Sequence, residues 1–551
     1  MNDEWTPERK TVIFGLDGAT WEILDPLLSN GHLPNLAELI HSGTKGTLQS
    51  TRPAVTAAAW PAMLTGRGPE RTGITHFLRP EAGGYDIEPA ITELGQLQPL
   101  WQVVNHWGEN ALVFNVPTIG AEEIEGQMVT GPLTKTDHPL ATPSELNSSL
   151  TGEYSIYADF TSASTEYEKL QEIRAVTEHK LETSLKLATE VEWSLMVSVV
   201  YYIDQVQHRF WHYLDPDHPD YTDDSRMQEG IASYFSMVDS YLGELKNLLE
   251  ADSEPYSIFV VSDHGHGPTY KSIDIDLLLN RAGHLTFVGD DNDQQPSGRE
   301  YRPTKATIVS ALKSAGLLEF VMTNVPERVK KFVGDRLDDN KRSPDDFVWD
   351  ETVAWSYNTP VVYLNTSEGR ESGTIAPDGY EERLADIRSS LLQLEDPERG
   401  VPVVQDVLTI DEAYGEFGDI PDNVQAVLPD LIIIFRNESE YKPKTNEIST
   451  TGDILFPPEE SSTHIREGIL VAGGDGVRSD QSMEMNIRDI YPSVLRLMGY
   501  PIPEGATGTV PDLFTEDVAA YETMDYKDTG EGKVGDENEE IYDRLRDLGY
   551  L

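Results

Sequence analysis

The stretch SIFVVSDHGHGP (257–268) carries a run of apolar and β-branched residues into a carboxylate, two imidazoles and two glycines. Two other apolar runs end in a carboxylate as well. TVIFGL (11–16) leads into Asp17, and SLMVSVVYYI (194–203) leads into Asp204. His208 follows Asp204 by four residues, a spacing that puts both side chains on one face of a helix starting near Asp204. Crowded carboxylates raise one another's pKa, and a bound cation is the usual resolution. Oxygen ligands mixed with imidazole nitrogens suit Zn²⁺, with Mn²⁺ or Fe²⁺ less favoured; an all-oxygen set would point to Mg²⁺ or Ca²⁺. His464, in the polar stretch SSTHIREGILVAGG, is available as one more ligand.

A nucleophile is available in TRPAVTAAAWPAMLTG (51–66), where Thr56 stands at the predicted start of a helix among small alanines. A helix N-terminus favours an anion, and small neighbours let a phosphate approach the backbone. A threonine hydroxyl is a weak nucleophile, but a metal lowers its pKa and holds it in place. Taken singly these residues have ordinary readings. Asp17 before glycine is a common turn, Asp204 and Thr56 are good N-caps, and His208 and His464 suit a solvated surface. Their convergence is what argues for a site.

Convergence requires the right scaffold. Apolar runs at 11–16, 45–51, 111–116, 194–203, 257–262, 430–435 and 468–474 alternate with helical patterns near 34–43, 165–190, 225–250 and 487–498. That alternation predicts an α/β fold, a mostly parallel sheet with helices on both faces. In such sheets ligands bind outside the carboxyl ends of the strands, where all three aspartates fall. Residues 1–515 read as the core. Residues 280–345 break its rhythm as a helical and loop insertion, an expected lid, and 516–551 form an acidic tail closing in the helical EIYDRLRDLGYL.

With no cysteine, thiolate metal sites, cysteine nucleophiles and disulfides are excluded. Acidic residues number 96 against 42 basic, a net charge of −54, which repels nucleic-acid backbones and anionic membranes. The balance resembles that of halophile proteins, and the charge is read as an adaptation to concentrated salt rather than as a binding function. The N-terminus lacks a signal-peptide pattern and no run is long enough to span a membrane, so a cytoplasmic location is expected. A P-loop and a G-x-S-x-G elbow are both absent, which argues against an NTPase or a serine hydrolase.

The order VIFGLDG (12–18), RPAVTAAAWPAMLTGRGPERTGI (52–74), YYIDQVQHRFWHYLDPDHP (201–219), VVSDHGHGP (260–268) and THIREGILVAGG (463–474), followed by IRDIYPSVLRLMG (487–499), resembles the alkaline phosphatase superfamily. Within it the chain is most similar to the type I phosphodiesterase and nucleotide pyrophosphatase family, in its prokaryotic cytoplasmic branch. The resemblance implies a three-layer sandwich with two divalent metal ions ~4 Å apart. Asp204, His208 and His464 would hold one; Asp17, Asp263, His264 and the nucleophile Thr56 would hold the other. It implies hydrolysis of a small phosphate ester, a diester or pyrophosphate ahead of a monoester, through a covalent phospho-enzyme. Two alternatives share the residues: a phosphotransferase or mutase, and a binding module that has kept the fold without catalysis.

Pyrophosphatase relatives carry an asparagine three residues after the nucleophile; Ala59 stands there, so another group must steady the phosphoryl oxygens. Thr56-Ala-Ala-Ala-Trp cannot supply the C/S-x-P-x-R motif of formylglycine sulfatases. His266 has no metal role in the resemblance, and the glycines beside it are expected to leave room for substrate. His212 and His218 are expected to be rim or packing residues.

Overall fold

Successive side chains of a strand face opposite sides, so a strand that is apolar throughout must be covered on both faces. Val12, Phe14 and Leu16 join a core on one side of the central sheet, while Ile13 between them joins the core on the other. The computed structural model describes residues 9–526 except 91–93, 135–138, 151–153, 253, 289–340, 343, 416–419, 445–447, 450, 451, 480 and 517.

The central sheet has nine strands: β1 (Lys10–Leu16), β2 (Thr44–Gln49), β3 (Ala111–Val116), β4 (Gly126–Thr130), β5 (Ala141–Thr142), β6 (Leu195–Val200), β7 (Tyr256–Val261), β8 (Glu467–Gly474) and β9 (Gln481–Asn486). Their spatial order is β9-β2-β8-β7-β1-β6-β3-β4-β5. The run β7-β1-β6-β3-β4 is parallel throughout. β8 lies antiparallel to both β7 and β2, and β5 antiparallel to β4. β9 escapes a hydropathy reading because QSMEMN is half polar and lies at the sheet's edge.

Helices cover both faces. α1 (Pro34–Ser42), α3 (Glu166–Glu190) and α5 (Ser225–Asp252) pack on one side through Leu36, Leu170, Tyr234 and Leu245. α2 (Thr56–Thr65) and α6 (Ile490–Met498) close the other through Met63, Leu64, Val494 and Leu497. The expected α/β sandwich is observed. Among the described residues, no helix is long and apolar enough to cross a membrane.

A third core stands apart from these two. Ala354–Trp355, Val361–Leu364, Leu431–Phe435 and Val404–Leu408 form an antiparallel four-stranded sheet, packed with helices Ile275–Arg281 and Tyr380–Leu392. The run DLIIIF therefore makes a strand, but in this satellite rather than in the main sheet. A short apolar run specifies burial without specifying which sheet buries it. Most of the expected lid and the tail helix lie outside the described residues.

Candidate active site

β1, the middle strand of β7-β1-β6, delivers Asp17 one residue past its end. β7 delivers Asp263, and β6 turns through Tyr201 into α4 (Tyr202–Phe210), which carries Asp204 in its first turn and His208 one turn on. All three carboxylates are wholly buried. Gly15 makes room for Trp60: a Cβ there would collide with the ring, whose Nε1–H donates to Asp17 Oδ2 at 2.9 Å. Gly18, at φ +68°, donates its N–H to Asp263 Oδ1 at 3.1 Å.

His464 arrives from the far end of the sequence. Gly265–Pro268 and Ser462–Ile465 form an antiparallel ribbon in which His266 and His464 are directly opposed. Cross-strand neighbours of this kind project from the same face. The glycines of this ribbon make room for protein, contrary to the sequence expectation. A Cβ on Gly265 would strike the carbonyl of Glu467, and one on Gly267 would strike Ser439.

Hydrogen bonds to backbone carbonyls fix the imidazoles. A carbonyl only accepts, so the nitrogen facing it carries a proton, and in a neutral imidazole the other nitrogen keeps a lone pair. His208 Nδ1 donates to Ser462 O at 2.8 Å, His464 Nδ1 to Ala54 O at 3.0 Å, and His264 Nδ1 to Gly265 O at 3.1 Å. Burial keeps His264 and His464 neutral, so each presents a bare Nε2 inward, the form a metal ligand requires. Burial would lower His208 too, but the charges of Asp204 and Glu460 push it up to about 9, so without a metal its Nε2 also carries a proton, which a cation would displace. Nε2 of His208 and His464 lie 2.9 Å apart, and each is 3.3 Å from Asp204 Oδ1. At that distance the His208 Nε2 proton bridges to the lone pair of His464 Nε2, in the place a divalent cation held by both rings would take.

His266 is protonated the other way round. Its Nε2–H donates to Asp204 Oδ1 at 2.8 Å, and its Nδ1 accepts from the Ser462 hydroxyl at 2.9 Å. It therefore lies within the cluster without offering a lone pair to it. Sequence reasoning set His266 aside; the signal available was its place two residues after His264, where strand alternation returns a side chain to the same face.

The second group is Asp17, Asp263 and His264, whose ligand atoms all lie within 4.8 Å of one another. Asp17 Oδ1 and Asp263 Oδ2 are buried without a hydrogen-bond partner. Burial pushes both carboxyls well above their usual range, and for Asp17 the charges of Asp263 and Asp204 add to it. Burial would also raise Asp204, but His208, His266 and His464 hold it well below. Burial drives His264 well below its usual range, so it is neutral and its 3.3 Å approach to Asp263 Oδ2 is no ion pair. Two orphaned carboxylate oxygens beside a neutral imidazole lone pair suit a divalent cation. The stacked rings of His264 and His464, 3.8 Å between centroids, join the two groups into one centre.

Thr56 is the first residue of α2, and Val55, not Thr56, is the N-cap. Its hydroxyl makes no cap and instead lies 3.1 Å from His264 Nε2, wholly buried. The N–H groups of Ala58 and Ala59 both donate to Val55 O, so the amide of Ala59 does not replace the asparagine found in relatives. His218 is buried and accepts the Asp220 N–H, a packing role.

The profile of the type I phosphodiesterase / nucleotide pyrophosphatase family matches residues 11–449. The chain belongs to that family. Phosphoester hydrolysis is the chemistry of type I phosphodiesterases and nucleotide pyrophosphatases, and a buried cluster of aspartates and histidines able to hold a metal is present here. His464 lies beyond the matched segment, so its place in the cluster rests on geometry. A comparison with curated protein sequences gives no significant match. Among solved structures, the chain is similar to phosphonoacetate hydrolase from Sinorhizobium meliloti 1021 in complex with phosphonoformate, at 15% identity, 88% of this chain, 95% of that one and a TM-score of 0.48. Human ectonucleotide pyrophosphatase / phosphodiesterase 5 matches at 13% identity, 89% and 95% coverage and a TM-score of 0.40. Its murine counterpart matches at 14%, 92% and 100%, with a TM-score of 0.45.

Proposed function

We propose that this protein is a metal-dependent phosphoric ester hydrolase, with Thr56 as the nucleophile and two divalent ions, Zn²⁺ favoured, as cofactors. The observation that carries the reading is the Thr56 hydroxyl 3.1 Å from the bare Nε2 of His264, beside the orphaned oxygens of Asp17 and Asp263. Asp17, Asp263, His264 and Thr56 would hold one ion, and Asp204, His208 and His464 the other. Bound there, the ions would neutralise phosphoryl oxygens and make the threonine oxygen a competent nucleophile.

The residues themselves orient and exclude water. Thr56 is fixed by the first turn of a wholly buried helix, so its oxygen approaches phosphorus from one direction. Attack by the Thr56 oxygen forms a phospho-threonine that keeps any second ester group and breaks the P–O bond to the leaving alcohol, which takes up the proton that Thr56 gives up; water then cleaves the Thr56–phosphate bond and restores the hydroxyl. Trp60 fixes Asp17, Gly18 fixes Asp263, and the Nδ1–H bonds fix the three imidazoles, so little reorganisation remains for the reaction.

The test uses protein purified in molar KCl, stripped with chelator and reloaded with Zn²⁺ or Mn²⁺. Metal-restored cleavage of bis-(p-nitrophenyl) phosphate, or of p-nitrophenyl phosphate, is expected and should disappear in Thr56→Ala. In water labelled with heavy oxygen, label entering the released phosphate marks hydrolysis, and phosphate passing to an added alcohol marks transfer. Turnover that survives Thr56→Ala overturns the assignment of the nucleophile.

A further inference from the structure

A cavity of about 110 Å³ adjoins the site, bounded by Ala54 and Val55 just before Thr56 and by His464. Its far wall is the satellite sheet, through Pro360 and Ile433–Phe435. Pockets for drug-sized ligands are roughly 300–1,000 Å³, so only a small substituent fits beside the reacting phosphorus.

The wall also carries two guanidinium groups, Arg52 and Arg466. They are close enough that the charge of Arg52 adds to burial in lowering the Arg466 pKa. Arg466 spends its Nε–H on Ser50 O at 3.3 Å, and Arg52 Nε is buried without a partner. Among the described residues, neither guanidinium has a carboxylate within 4.0 Å. Nearby Lys442 is different, being paired with Glu460. Glu438 also lines the cavity and its charge offsets part of the Arg52 effect on Arg466, but its Oε2 accepts the backbone N–H of Arg466 at 2.6 Å rather than a guanidinium N–H.

This arrangement is unusual in a chain with 96 acidic residues and 42 basic ones, where Arg79, Arg388, Arg399 and Arg478 all have acidic partners. Two like charges held together in a half-buried wall are resolved by an anion, and planar guanidinium groups suit the paired oxygens of carboxylate or phosphate. His76 adds a third polar group to the cavity. It is 6% exposed, and its Nδ1 has no partner.

We infer that the cavity is a substrate subsite: Arg52 and Arg466 bind an oxyanion on a small substituent of the phosphate ester, with His76 as a neutral partner. The inference rests on the hydrolase reading above and narrows its substrates to esters with a short, anionic second group. Carboxylate and phosphate share the required chemistry.

The test uses three p-nitrophenyl phosphodiesters whose second substituent is ethyl, carboxymethyl or phosphonomethyl, with metal-loaded protein at fixed KCl. At least one anionic ester should exceed the ethyl ester in kcat/KM by about tenfold or more, and the two anionic arms identify which oxyanion is preferred. In Arg52→Gln/Arg466→Gln that ratio should fall to within about twofold of unity. A ratio near unity in the parent protein, or one that persists in the double variant, overturns the inference. The two single Arg→Gln variants should each give intermediate ratios, which guards against misfolding of the double variant. Binding is measured separately by calorimetry on metal-loaded Thr56→Ala protein. Tighter binding of an anionic ester that needs both arginines supports the subsite even where no ester is turned over, so its failure is distinct from failure of the hydrolase reading. Equal binding of all three esters sinks it.

Discussion

His266 donates from Nε2 to Oδ1 of Asp204 at 2.8 Å, on the same oxygen that His208 and His464 face from 3.3 Å. One histidine thus orients the carboxylate while His208 and His464 face it from either side as candidate ligands. A partner that orients a metal-binding carboxylate commonly tunes affinity as strongly as some ligands do.

His266→Ala should accordingly weaken metal binding by roughly 10–100-fold, read by competition with a chromogenic chelator. His266→Gln, which keeps an N–H donor, should recover part of the loss. Unchanged affinity in the alanine variant would reduce His266 to a packing residue.

Metal removal should destabilise the fold, because Asp17, Asp204 and Asp263 crowd together in full burial. Saturating Zn²⁺ at a hundred times Kd should add about 2.7 kcal/mol, seen as a chelator-sensitive rise in Tm. In Asp17→Asn the metal-dependent rise should shrink while the metal-free protein becomes no less stable. A Tm indifferent to chelator in the parent protein would contradict the metal centre.

Lys180 gives a pH dependence far from the metal cluster. Its ammonium is buried, bonded to Asn115 Oδ1 and Ile156 O at 2.8 Å each, and burial pushes its pKa down to about 7. Below that value the lysine is charged in both folded and unfolded chains, and the burial penalty is felt in full. Between about 7 and the unfolded value of 10.5 only the unfolded chain holds the proton, so this group makes stability rise with pH across that window. Replacing it by methionine should remove a rise on the order of a few kcal/mol across that window, measured as denaturant midpoints from pH 6 to 10. Parallel stability profiles for the two proteins would refute the assignment.

Salt should matter more than for an ordinary protein. At a net charge of −54, the screening length falls from about 10 Å in 0.1 M salt to about 3 Å in 1 M, and self-repulsion falls with it. Tm should climb steadily from 0.1 to 2 M KCl; a flat or falling profile would exclude salt adaptation as the reason for the charge.

Much of the site was legible in the chain because its determinants are local. Strand ends can be read from where apolar runs stop, which found Asp17, Asp204 and Asp263, and helical spacing tied His208 to Asp204. The sheet and its flanking helices followed from hydrophobic period alone, since burial on both faces leaves a continuous apolar signature. The strand at 430–435 was found for the same reason and misplaced for the same reason, because period records burial but not the partner.

Sequence by itself therefore determined the α/β class, the three strand-end carboxylates, the absence of thiol chemistry and the acid-rich surface. Tertiary structure alone decided which nitrogen of each imidazole is tied up as a donor, because that depends on carbonyls contributed by Ser462, Ala54 and Gly265. It also decided that His266 orients Asp204, and that Arg52 and Arg466, hundreds of residues apart, share one cavity wall. Local patterns record how a residue meets its own strand or helix, whereas a proton's position and a pocket's charge are set by neighbours that only folding brings near.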